Sequence, residues 1–475
     1  MGLRNSIGSI VVLGACTLAS AQSATEVVSP GSQTVTTISA AEQVRIGHIV
    51  AGVMEQRLMP SSSIAVVEKG KLVYTHAYGL AQISPPVLAT PEMRYSIGSI
   101  SKQFTAAAIL LLQEQGKLNL NDAVGKYVPG LTRGNDVAIR QVLSHTSGYQ
   151  DYWPEDYLMT PMMQPETAQQ IVDTWAKKPL DFEPGTQWQY SNTNYVIAGL
   201  IVEKVSGEKL MDFLEAHIFH PLGMKSVWDS TETSLTAADA TPYVRAALGP
   251  LRVAPKEGRG WMFAAGELAM TAHDLALWDE SVIARTLLKP ESYRAMFTEV
   301  KLKDGRGTQY GLGVFVKEEN GHRAIEHDGE VTGFVADNVV LPDDGVAVVA
   351  LTNHMASGAN QIAHLIASAV AGNAEQTEPE QQALAIYRGL QQGQIDRSLL
   401  APNLNDYFSA QTVADFRDSL GRLGEPLSLR QTKEDLRGGM TFRSFEIVYA
   451  TRKLRLTTYT YPDGKLEQYL VEPAN

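Results

Sequence analysis

Residues 95–104, YSIGSISKQF, contain three serines and one lysine, and their spacing decides which serine could act as a nucleophile. Residues three apart on an α-helix lie on one face, with Cβ atoms about 5–6 Å apart. Only Ser99 has a lysine, Lys102, at that spacing. Neither Ser96 nor Ser101 has a basic residue three positions on. Ser99 and Lys102 therefore form an S-x-x-K element, in which an amine could take the proton of a serine hydroxyl.

The same motif occurs a second time, at residues 206–209, where its sequence is SGEK. This copy falls in a Ser-Gly break between two helical patterns. We expect Ser206 to cap a helix there and Lys209 to lie on a solvated turn. The motif alone is not sufficient, because acyl transfer also needs a second proton-carrying group and a pocket that stabilises the oxyanion.

Two other segments supply side chains of the required types. Tyr190 and Asn192, in PGTQWQYSNTNY, place a phenol and an amide two residues apart, just before an apolar helical pattern. His327, in IEHDGEVTGF, adds an imidazole, and Gly329 leaves room for the backbone of a substrate. The chain contains no G-x-S-x-G, H-E-x-x-H or H-x-H pattern. We therefore predict acyl transfer with no metal and no cofactor.

These motifs resemble those of a known family of serine enzymes. Together with QVLSHTSGY, HPLGMKSVW, AAGELAMTAHDLALW and YGLGVFV, in the same order, they resemble the serine β-lactamase and penicillin-binding-protein-like family. The likeness is nearest to its class C, esterase and D-amino-acid-peptidase branch, and it covers roughly residues 40–371. It implies an α/β (α+β) fold of the β-lactamase/transpeptidase type, in which an antiparallel sheet is flanked by helices and joined to an all-helical region.

The resemblance also implies a role for each matching residue. Ser99 would be the acylated nucleophile, and Lys102 would accept its proton. Tyr190 would act as the general base or as a proton shuttle to the leaving group. Asn192 would anchor the substrate amide by a hydrogen bond.

The remaining implied roles concern the oxyanion and the substrate. The backbone N–H groups of Ser99 and Glu330, which follows Gly329, would form the oxyanion hole. His327 would stand where many relatives carry the lysine of a K-T-G element, and this chain has no K-[ST]-G. An imidazole with the ordinary pKa of ~6.5 is mostly neutral at neutral pH. We therefore expect neutral esters to be better substrates than penicillins. If His327 contacts a carboxylate, the binding of anionic substrates should strengthen as the pH falls through that pKa.

Length and composition limit the other possibilities. The chain has 475 residues, of which 44% are hydrophobic and 19% are charged, so it can form a large core with an additional smaller domain. Its formal net charge of −12 argues against nucleic acid or an anionic membrane as a general partner.

The N-terminal segment predicts export. Residues 5–19 form an apolar run followed by Ala19-Ser20-Ala21, a small-x-small cleavage pattern, so residues 1–21 are predicted to be a signal peptide. The run is too short for a stable membrane span. Lipidation of Cys16, the only cysteine, is the alternative. A periplasmic or secreted protein, soluble or lipid-anchored, is expected in either case.

The order of patterns indicates how the chain is organised. The chain begins with helical spacing and a hairpin around Lys69-Gly70, followed by a buried helix over roughly 99–115 and a long helical insert. Strands return from YGLGVFV onward, and a helix closes the region. This order predicts one sheet with strands from both ends of residues 40–371. A linker, 372–382, precedes a C-terminal α+β domain, 383–475, with two helices and four strands. That domain resembles NTF2-like folds, and its role is unknown.

The sequence thus predicts an exported, metal-free serine hydrolase that cleaves an ester or amide through an acyl-enzyme on Ser99, with esterase-like preference. The alternatives are a D-alanyl or D-amino-acid peptidase or weak β-lactamase, and, from another class, a catalytically silent penicillin-recognising protein. The expected partner is a small-molecule ester, an amide or a peptidoglycan-type substrate. The sequence does not decide the oligomeric state.

Overall fold

The computed structural model describes residues 34–155, 157–232, 236, 238–319, 321–355, 358–372 and 377–474. The predicted signal peptide, with Cys16, lies outside these residues, so export and lipidation stay predictions. Among the described residues, no helix is both long enough and apolar enough to cross a membrane.

Helices, joined by loops, are the main regular elements between the first hairpin and the later strands. The α-helices in chain order are α1 Ala40–Arg57, α2 Ser101–Glu114, α3 Ile139–Leu143, α4 Ala168–Trp175, α5 Asn192–Ser206, α6 Leu210–Leu214, α7 His220–Leu222, α8 Ala272–Ala284, α9 Pro290–Met296, α10 Ala359–Ala371, α11 Glu378–Gln391, α12 Pro402–Tyr407 and α13 Ala410–Leu420. A π-helical segment, Glu215–Phe219, joins α6 to α7. Short 3₁₀-helices lie at Gly98–Ile100, Val124–Lys126, Thr160–Met163, Arg397–Leu399 and Gly421–Leu423.

The strands form one large sheet, one four-stranded sheet and two small ones. In chain order they are β1 Ser61–Glu68, β2 Lys71–Gln82, β3 Val87–Leu88, β4 Tyr95–Ser96, β5 Trp228–Asp229, β6 Tyr243–Val244, β7 Arg252–Val253, β8 Leu268–Met270, β9 Phe315–Glu319, β10 His322–Val331, β11 Phe334–Leu341, β12 Val346–Thr352, β13 Ser428–Arg437, β14 Met440–Val448, β15 Lys453–Thr460 and β16 Leu466–Pro473.

The large sheet is antiparallel, with seven strands in the order β3-β2-β1-β12-β11-β10-β9. Its centre is the pairing of β1 with β12, in which Ile64 lies opposite Ala350. The first hairpin and the last strands of this region therefore meet in one sheet, with the helical segment inserted between them. This confirms the prediction that strands from both ends of residues 40–371 form a common sheet.

Both faces of this sheet are covered by helices. In β1, Ile64 and Val66 belong to the core shared with α1 and α10, whereas Ala65 and Val67 belong to the core shared with α2 and α8. Alternate residues of a strand point to opposite faces, so a strand covered on both sides needs apolar residues throughout. This explains the apolar runs IAVV in β1 and VAVVAL in β12.

The predicted buried helix is present as α2, and residues 104–110 are all buried. Its start differs from the expected one. Gly98, with φ of +52°, turns the chain into a 3₁₀-helix, and the α-helix begins only at Ser101. Side chains three apart are eclipsed in a 3₁₀-helix, so the change keeps Ser99 on the same side as Lys102.

The C-terminal module, residues 377–474, contains a four-stranded antiparallel sheet in the order β13-β14-β15-β16 and its own apolar core. The first helix, α11, begins at Glu378, inside the predicted linker, because Thr377 and Glu380 form a capping box. The short helix α12 was not predicted. Leu427 and Ala450 of the module pack against the core of α1 and α10. Its NTF2-like character stays a prediction.

Candidate active site

Ser99 and Lys102 are in direct contact at one end of α2. The distance between Ser99 Oγ and Lys102 Nζ is 2.9 Å. Lys102 is fully buried, whereas Ser99 is partly exposed and lines a cavity. The neighbouring Ser101 turns away, and its Oγ accepts a hydrogen bond from the backbone N–H of Leu268 at 3.2 Å. Of the three serines in YSIGSISKQF, Ser99 is therefore the one that faces both an amine and open space.

Lys102 Nζ has two further neighbours, and both are hydrogen-bond acceptors. Asn192 Oδ1 lies 2.9 Å away and the backbone oxygen of Ala265 lies 2.7 Å away. A neutral amine has two N–H bonds and one lone pair. If the two N–H bonds are donated to these two oxygens, the lone pair points to Ser99 Oγ. The arrangement suits a base that removes the hydroxyl proton.

The electrostatic environment keeps Lys102 close to that neutral form. Burial lowers the pKa of Lys102 to about 7, and the carboxyl groups of Asp151, Glu267 and Asp328 oppose this shift when they are ionised. Glu267 is itself buried, which raises its pKa to about 8. The ammonium loses hydration in this site, and only part of that loss is compensated by nearby carboxylates. Lys102 can therefore exchange a proton near neutral pH.

Tyr190 completes the group around the serine. Its hydroxyl is close enough to Ser99 to interact with it, and its ring centroid lies 5.0 Å from Lys102 Nζ. The ring of His145 packs against it, with 4.4 Å between centroids. Burial holds the pKa of Tyr190 well above its usual value, so its hydroxyl stays protonated. Such a phenol can pass a proton along, but it is not a phenolate base.

Asn192 is the first residue of α5 and is held by a residue that the sequence analysis missed. Asp151 Oδ1 accepts the backbone N–H of Asn192 at 2.8 Å, and Asp151 Oδ2 accepts its side-chain Nδ2–H at 3.3 Å. Asp151 lies in the segment QDYWPEDY. A signal was available, because this acidic residue lies two positions after HTSGY, within an aromatic stretch.

The predicted oxyanion groups lie at a junction of two backbones. A Cβ added at Gly329 would lie 1.8 Å from Ile97 O and 3.1 Å from Ser99 N. A Cβ added at Gly98 would lie 2.6 Å from Glu330 N. Gly329 was expected to leave room for the backbone of a substrate, but its open side faces Ile97 O, so only glycines fit where β10 meets the 3₁₀-helix. The N–H groups of Ser99 and Glu330 are thereby brought to the same corner, while their role in catalysis stays a prediction.

His327 lines the cavity, yet both of its ring nitrogens are occupied by the protein. Nε2 accepts a hydrogen bond from the Tyr310 hydroxyl at 2.9 Å, and Nδ1–H donates to the backbone oxygen of Asp328 at 2.5 Å. Burial lowers the pKa of His327 to about 4. The expectation of an ordinary imidazole pKa is therefore wrong, because the ring is only 1% exposed. His327 is a neutral part of the cavity wall.

The cavity in front of Ser99 has a volume of about 640 Å³, which is the size of a small-molecule site. Its lining is mainly aromatic and apolar, with a few charged side chains. The aromatic residues are Trp153, Tyr157, Trp188, Tyr190 and Phe315. The charged residues are Glu155, Arg245, Asp328 and Glu330. Ser99, Tyr190, Asn192, His327 and Glu330, all predicted from the sequence, contribute to this lining.

The second S-x-x-K copy joins α5 to α6, and Ser206 is not the expected cap, because Gly207 is the C-cap of α5 and Lys209 is the N-cap of α6. Ser206 ends α5, and its Oγ donates a hydrogen bond to Val202 O at 2.7 Å. Lys209 is 80% exposed, and its Nζ lies 3.6 Å from Glu203. No contact joins Lys209 to the serine hydroxyl. Within the described ranges, no three His, Cys, Asp or Glu side chains are arranged as metal ligands.

Comparison with known sequences gives relatives that agree with the geometry of this site. The sequence profile of the beta-lactamase family matches residues 46–371. A D-aminopeptidase from Brucella anthropi is 30% identical over 318 residues, which cover 64% of this chain and 58% of that protein. A penicillin-binding protein from Bacillus subtilis is 28% identical over 313 residues, covering 62% of this chain and 68% of that protein. The chain thus spans well under two thirds of the D-aminopeptidase.

Solved structures give the same result for the fold. The octameric penicillin-binding protein homologue from Pyrococcus abyssi has a TM-score of 0.63 at 22% identity, covering 90% of this chain and 99% of that one. A D-stereospecific amidohydrolase from Streptomyces sp. has a TM-score of 0.59 at 26% identity, covering 69% and 98%. These similarities confirm the predicted fold class.

Proposed function

Since the chain belongs to the beta-lactamase family, we propose that it is a serine hydrolase that forms an acyl-enzyme on Ser99. The observation that carries this proposal is the contact of 2.9 Å between Ser99 Oγ and the fully buried Lys102 Nζ. A serine hydroxyl needs an adjacent base to become a nucleophile. A lysine whose pKa is about 7 provides that base at neutral pH.

In the proposed acylation step, Lys102 removes the Ser99 proton while Ser99 Oγ attacks the carbonyl carbon of the substrate. The negative charge that develops on the carbonyl oxygen is stabilised by the backbone N–H groups of Ser99 and Glu330. The C–O or C–N bond to the leaving group then breaks. The leaving group takes a proton from Tyr190, and Lys102 then passes the proton that it took from Ser99 to Tyr190.

Deacylation repeats these steps with water in place of the serine. Lys102 removes a proton from the water, which attacks the ester carbon of the acyl-enzyme. The acid is released, and Ser99 regains its proton. The catalytically silent alternative is disfavoured because the contacts among Ser99, Lys102 and Tyr190 are intact.

For the substrate, we propose the amide or ester of an amino acid with D configuration. The relatives named for D-aminopeptidase and D-stereospecific amidohydrolase activity support this class. The neutral His327 does not oppose it, because such a substrate has no free carboxylate at the reacting end. The aromatic residues of the cavity can receive a large apolar side chain. Asp328, whose side chain is 64% exposed, can attract its ammonium group.

Esterase-like hydrolysis of simple acyl esters is the second candidate. It uses the same steps with an easier leaving group, and the aromatic residues of the cavity wall favour apolar acyl groups. Penicillins and peptides with a free C-terminal carboxylate should be poorer substrates, because His327 is uncharged near neutral pH.

The test is a kcat/KM comparison among D-phenylalanine amide, L-phenylalanine amide, p-nitrophenyl butyrate and benzylpenicillin, with Ser99→Ala as the control. We expect D-phenylalanine amide to exceed its L enantiomer and benzylpenicillin, and Ser99→Ala to be inactive on all four. A preference for the butyrate ester without stereoselectivity would select the second candidate. Benzylpenicillin as the best substrate, or activity retained in Ser99→Ala, would contradict the proposal.

A further inference from the structure

Asn192 lies between a base and an acid, and its amide group makes a different bond to each. Its Oδ1 accepts a hydrogen bond from Lys102 Nζ at 2.9 Å. Its Nδ2 donates to Asp151 Oδ2 at 3.3 Å, and its backbone N–H donates to Asp151 Oδ1 at 2.8 Å. The side-chain oxygen and nitrogen of Asn192 thus face opposite partners.

The orientation of this amide decides whether Lys102 can act as a base. With Oδ1 towards Lys102, the neutral amine donates one N–H to Asn192 and one to Ala265 O, and its lone pair remains for Ser99. If the amide were rotated by half a turn, Nδ2–H would point at Lys102. The amine would then accept from Asn192, and its lone pair would no longer face the serine.

We propose that Asp151 is a positioning residue that holds the Asn192 amide with its oxygen towards Lys102, so that the lone pair of Lys102 is directed at Ser99. A carboxylate has only acceptors, so it can face Nδ2–H but not Oδ1 of the amide. Asp151 therefore selects one of the two amide orientations. This inference rests on the acyl-transfer function proposed above.

Asp151 is itself fixed in place. Its Oδ1 also accepts the backbone N–H of Trp153, at 3.2 Å, so three N–H groups in total point at the carboxylate. Burial raises the pKa of Asp151, and these N–H bonds act against that shift by favouring the charged form. Because Trp153 lines the cavity, the same carboxylate connects the substrate pocket with the base.

Asp151 also contributes charge to a site with several other titratable groups. The other acids that act on Lys102 are Glu267 and Asp328. Two imidazoles, His145 and His327, are close enough to interact with its charge. The phenol rings of Tyr190 and Tyr195 lie 5.0 Å and 5.5 Å from Nζ. Of the three acids, Asp151 is the one bonded to Asn192, so its removal should change both the amide orientation and the charge on one side of Lys102.

The test is Asp151→Asn, measured by kcat/KM for p-nitrophenyl butyrate from about pH 5 to about pH 9. An asparagine offers one acceptor to the two N–H groups of Asn192, so the Asn192 amide can turn. We expect a loss of about 10- to 100-fold at about pH 8, as for a hydrogen bond to a charged group. The midpoint of the acid limb should also move to lower pH, because a negative charge near Lys102 is removed.

Asp181→Asn is the matched control, since Asp181 is an exposed carboxylate from the same region of the chain, and it should behave as wild type. Asp151→Glu keeps the charge and both acceptors, so it should keep the wild-type midpoint and more activity than Asp151→Asn. In an Asn192→Ala background, Asp151→Asn should cost much less than in wild type, because the amide that it positions is gone.

Three results would overturn the inference. The first is an Asp151→Asn protein whose kcat/KM and acid-limb midpoint are those of wild type. The second is that Asp151→Asn lowers kcat/KM by the same factor with and without Asn192. The third is a loss of kcat/KM that is accounted for by a lowered melting temperature, while the acid-limb midpoint does not move. Ser99→Ala, assayed in parallel, separates this inference from the proposed function. An active Ser99→Ala refutes the function itself, whereas an inactive Ser99→Ala with an unaffected Asp151→Asn refutes only the role of Asp151.

Discussion

A lysine can act as a base near neutral pH only where its surroundings disfavour the ammonium. Lys102 meets this condition because it is fully buried and its nearest acceptors are an amide oxygen and a carbonyl, with no carboxylate in direct contact. Burial then dominates over the more distant acids, and the pKa falls to about 7. The same burial keeps Tyr190 protonated, so the two groups divide the work of base and proton donor.

The first prediction at this scale concerns the pH dependence of the reaction. Lys102 must be neutral to accept the serine proton, so kcat/KM should rise with pH through a midpoint near 7 and fall as the pH is lowered. The measurement is a pH profile with a neutral ester. Lys102→Arg should be almost inactive, because a guanidinium keeps its proton. A profile that is flat between about pH 5 and about pH 8 would contradict Lys102 as the base.

The second prediction concerns Glu267 and stability. Burial raises its pKa to about 8 in the folded protein, so between pH ~4.5 and about 8 the folded state holds a proton that the unfolded state has lost. The free energy of unfolding contributed by this group should therefore fall as the pH rises through that window. Glu267→Gln removes this pH dependence, because glutamine does not titrate. The free energy of unfolding of Glu267→Gln minus that of wild type should therefore increase from about pH 5 to about pH 8, by on the order of a few kcal/mol.

Urea unfolding of wild type and Glu267→Gln at several pH values gives this difference directly. Glu291→Gln is the control, because Glu291 is exposed and stays in water when the chain folds. A Glu267→Gln difference that is constant with pH, or that shrinks as the pH rises, would contradict the assignment of a raised pKa to Glu267.

Local spacing was enough to predict some of the site, but not all of it. Ser99 and Lys102 are three residues apart, so helical geometry alone brings them together. Asp151 and Asn192 are 41 residues apart, and their contact depends on the path of a loop that no periodicity describes. The two bonds that occupy His327 involve the Tyr310 hydroxyl and the backbone oxygen of the next residue in β10, Asp328, and these also required the fold.

At the scale of elements, the active site depends on close backbone contact between β10 and the 3₁₀-helix before α2. Apolar periodicity predicted α1, α2, α10 and the strands of the large sheet. The segment YGLGVFV was predicted to be a strand throughout, but β9 starts only at Phe315. Gly313 has φ of +79°, and a Cβ there would lie 2.9 Å from Lys102 O. This segment turns against α2 before it enters the sheet.

The contact at Gly329 gives a prediction for this scale. Gly329→Ala should lower the acylation rate by about 100-fold or more, because its Cβ would meet Ile97 O at 1.8 Å and push β10 away from the serine. The measurement is the rate of labelling by a fluorophosphonate. Gly47→Ala, in α1, is the control, since nothing but Tyr78 at 3.9 Å faces its Cβ. Equal labelling of both variants, with both folded, would refute the proposed oxyanion corner.

At the scale of the whole molecule, the large sheet separates the active site from the C-terminal module. The residues of the site lie on the side of α2 and α5, whereas the C-terminal module packs against α1 and α10 on the other face. The order of motifs along residues 40–371 was sufficient to predict this fold, since it reflects one sheet with a helical insert. The additional helix α12 and the early start of α11 depend on capping and tertiary packing, which the apolar pattern does not encode.

The central claim, that Ser99 is the acylated nucleophile, is tested most directly by locating a covalent adduct. Wild-type protein is treated with a fluorophosphonate, digested and analysed by peptide mass spectrometry. The account predicts a single adduct on Ser99, with labelling abolished in Ser99→Ala and unchanged in Ser206→Ala. An adduct on another serine, or equal labelling of Ser99→Ala and wild type, would contradict it.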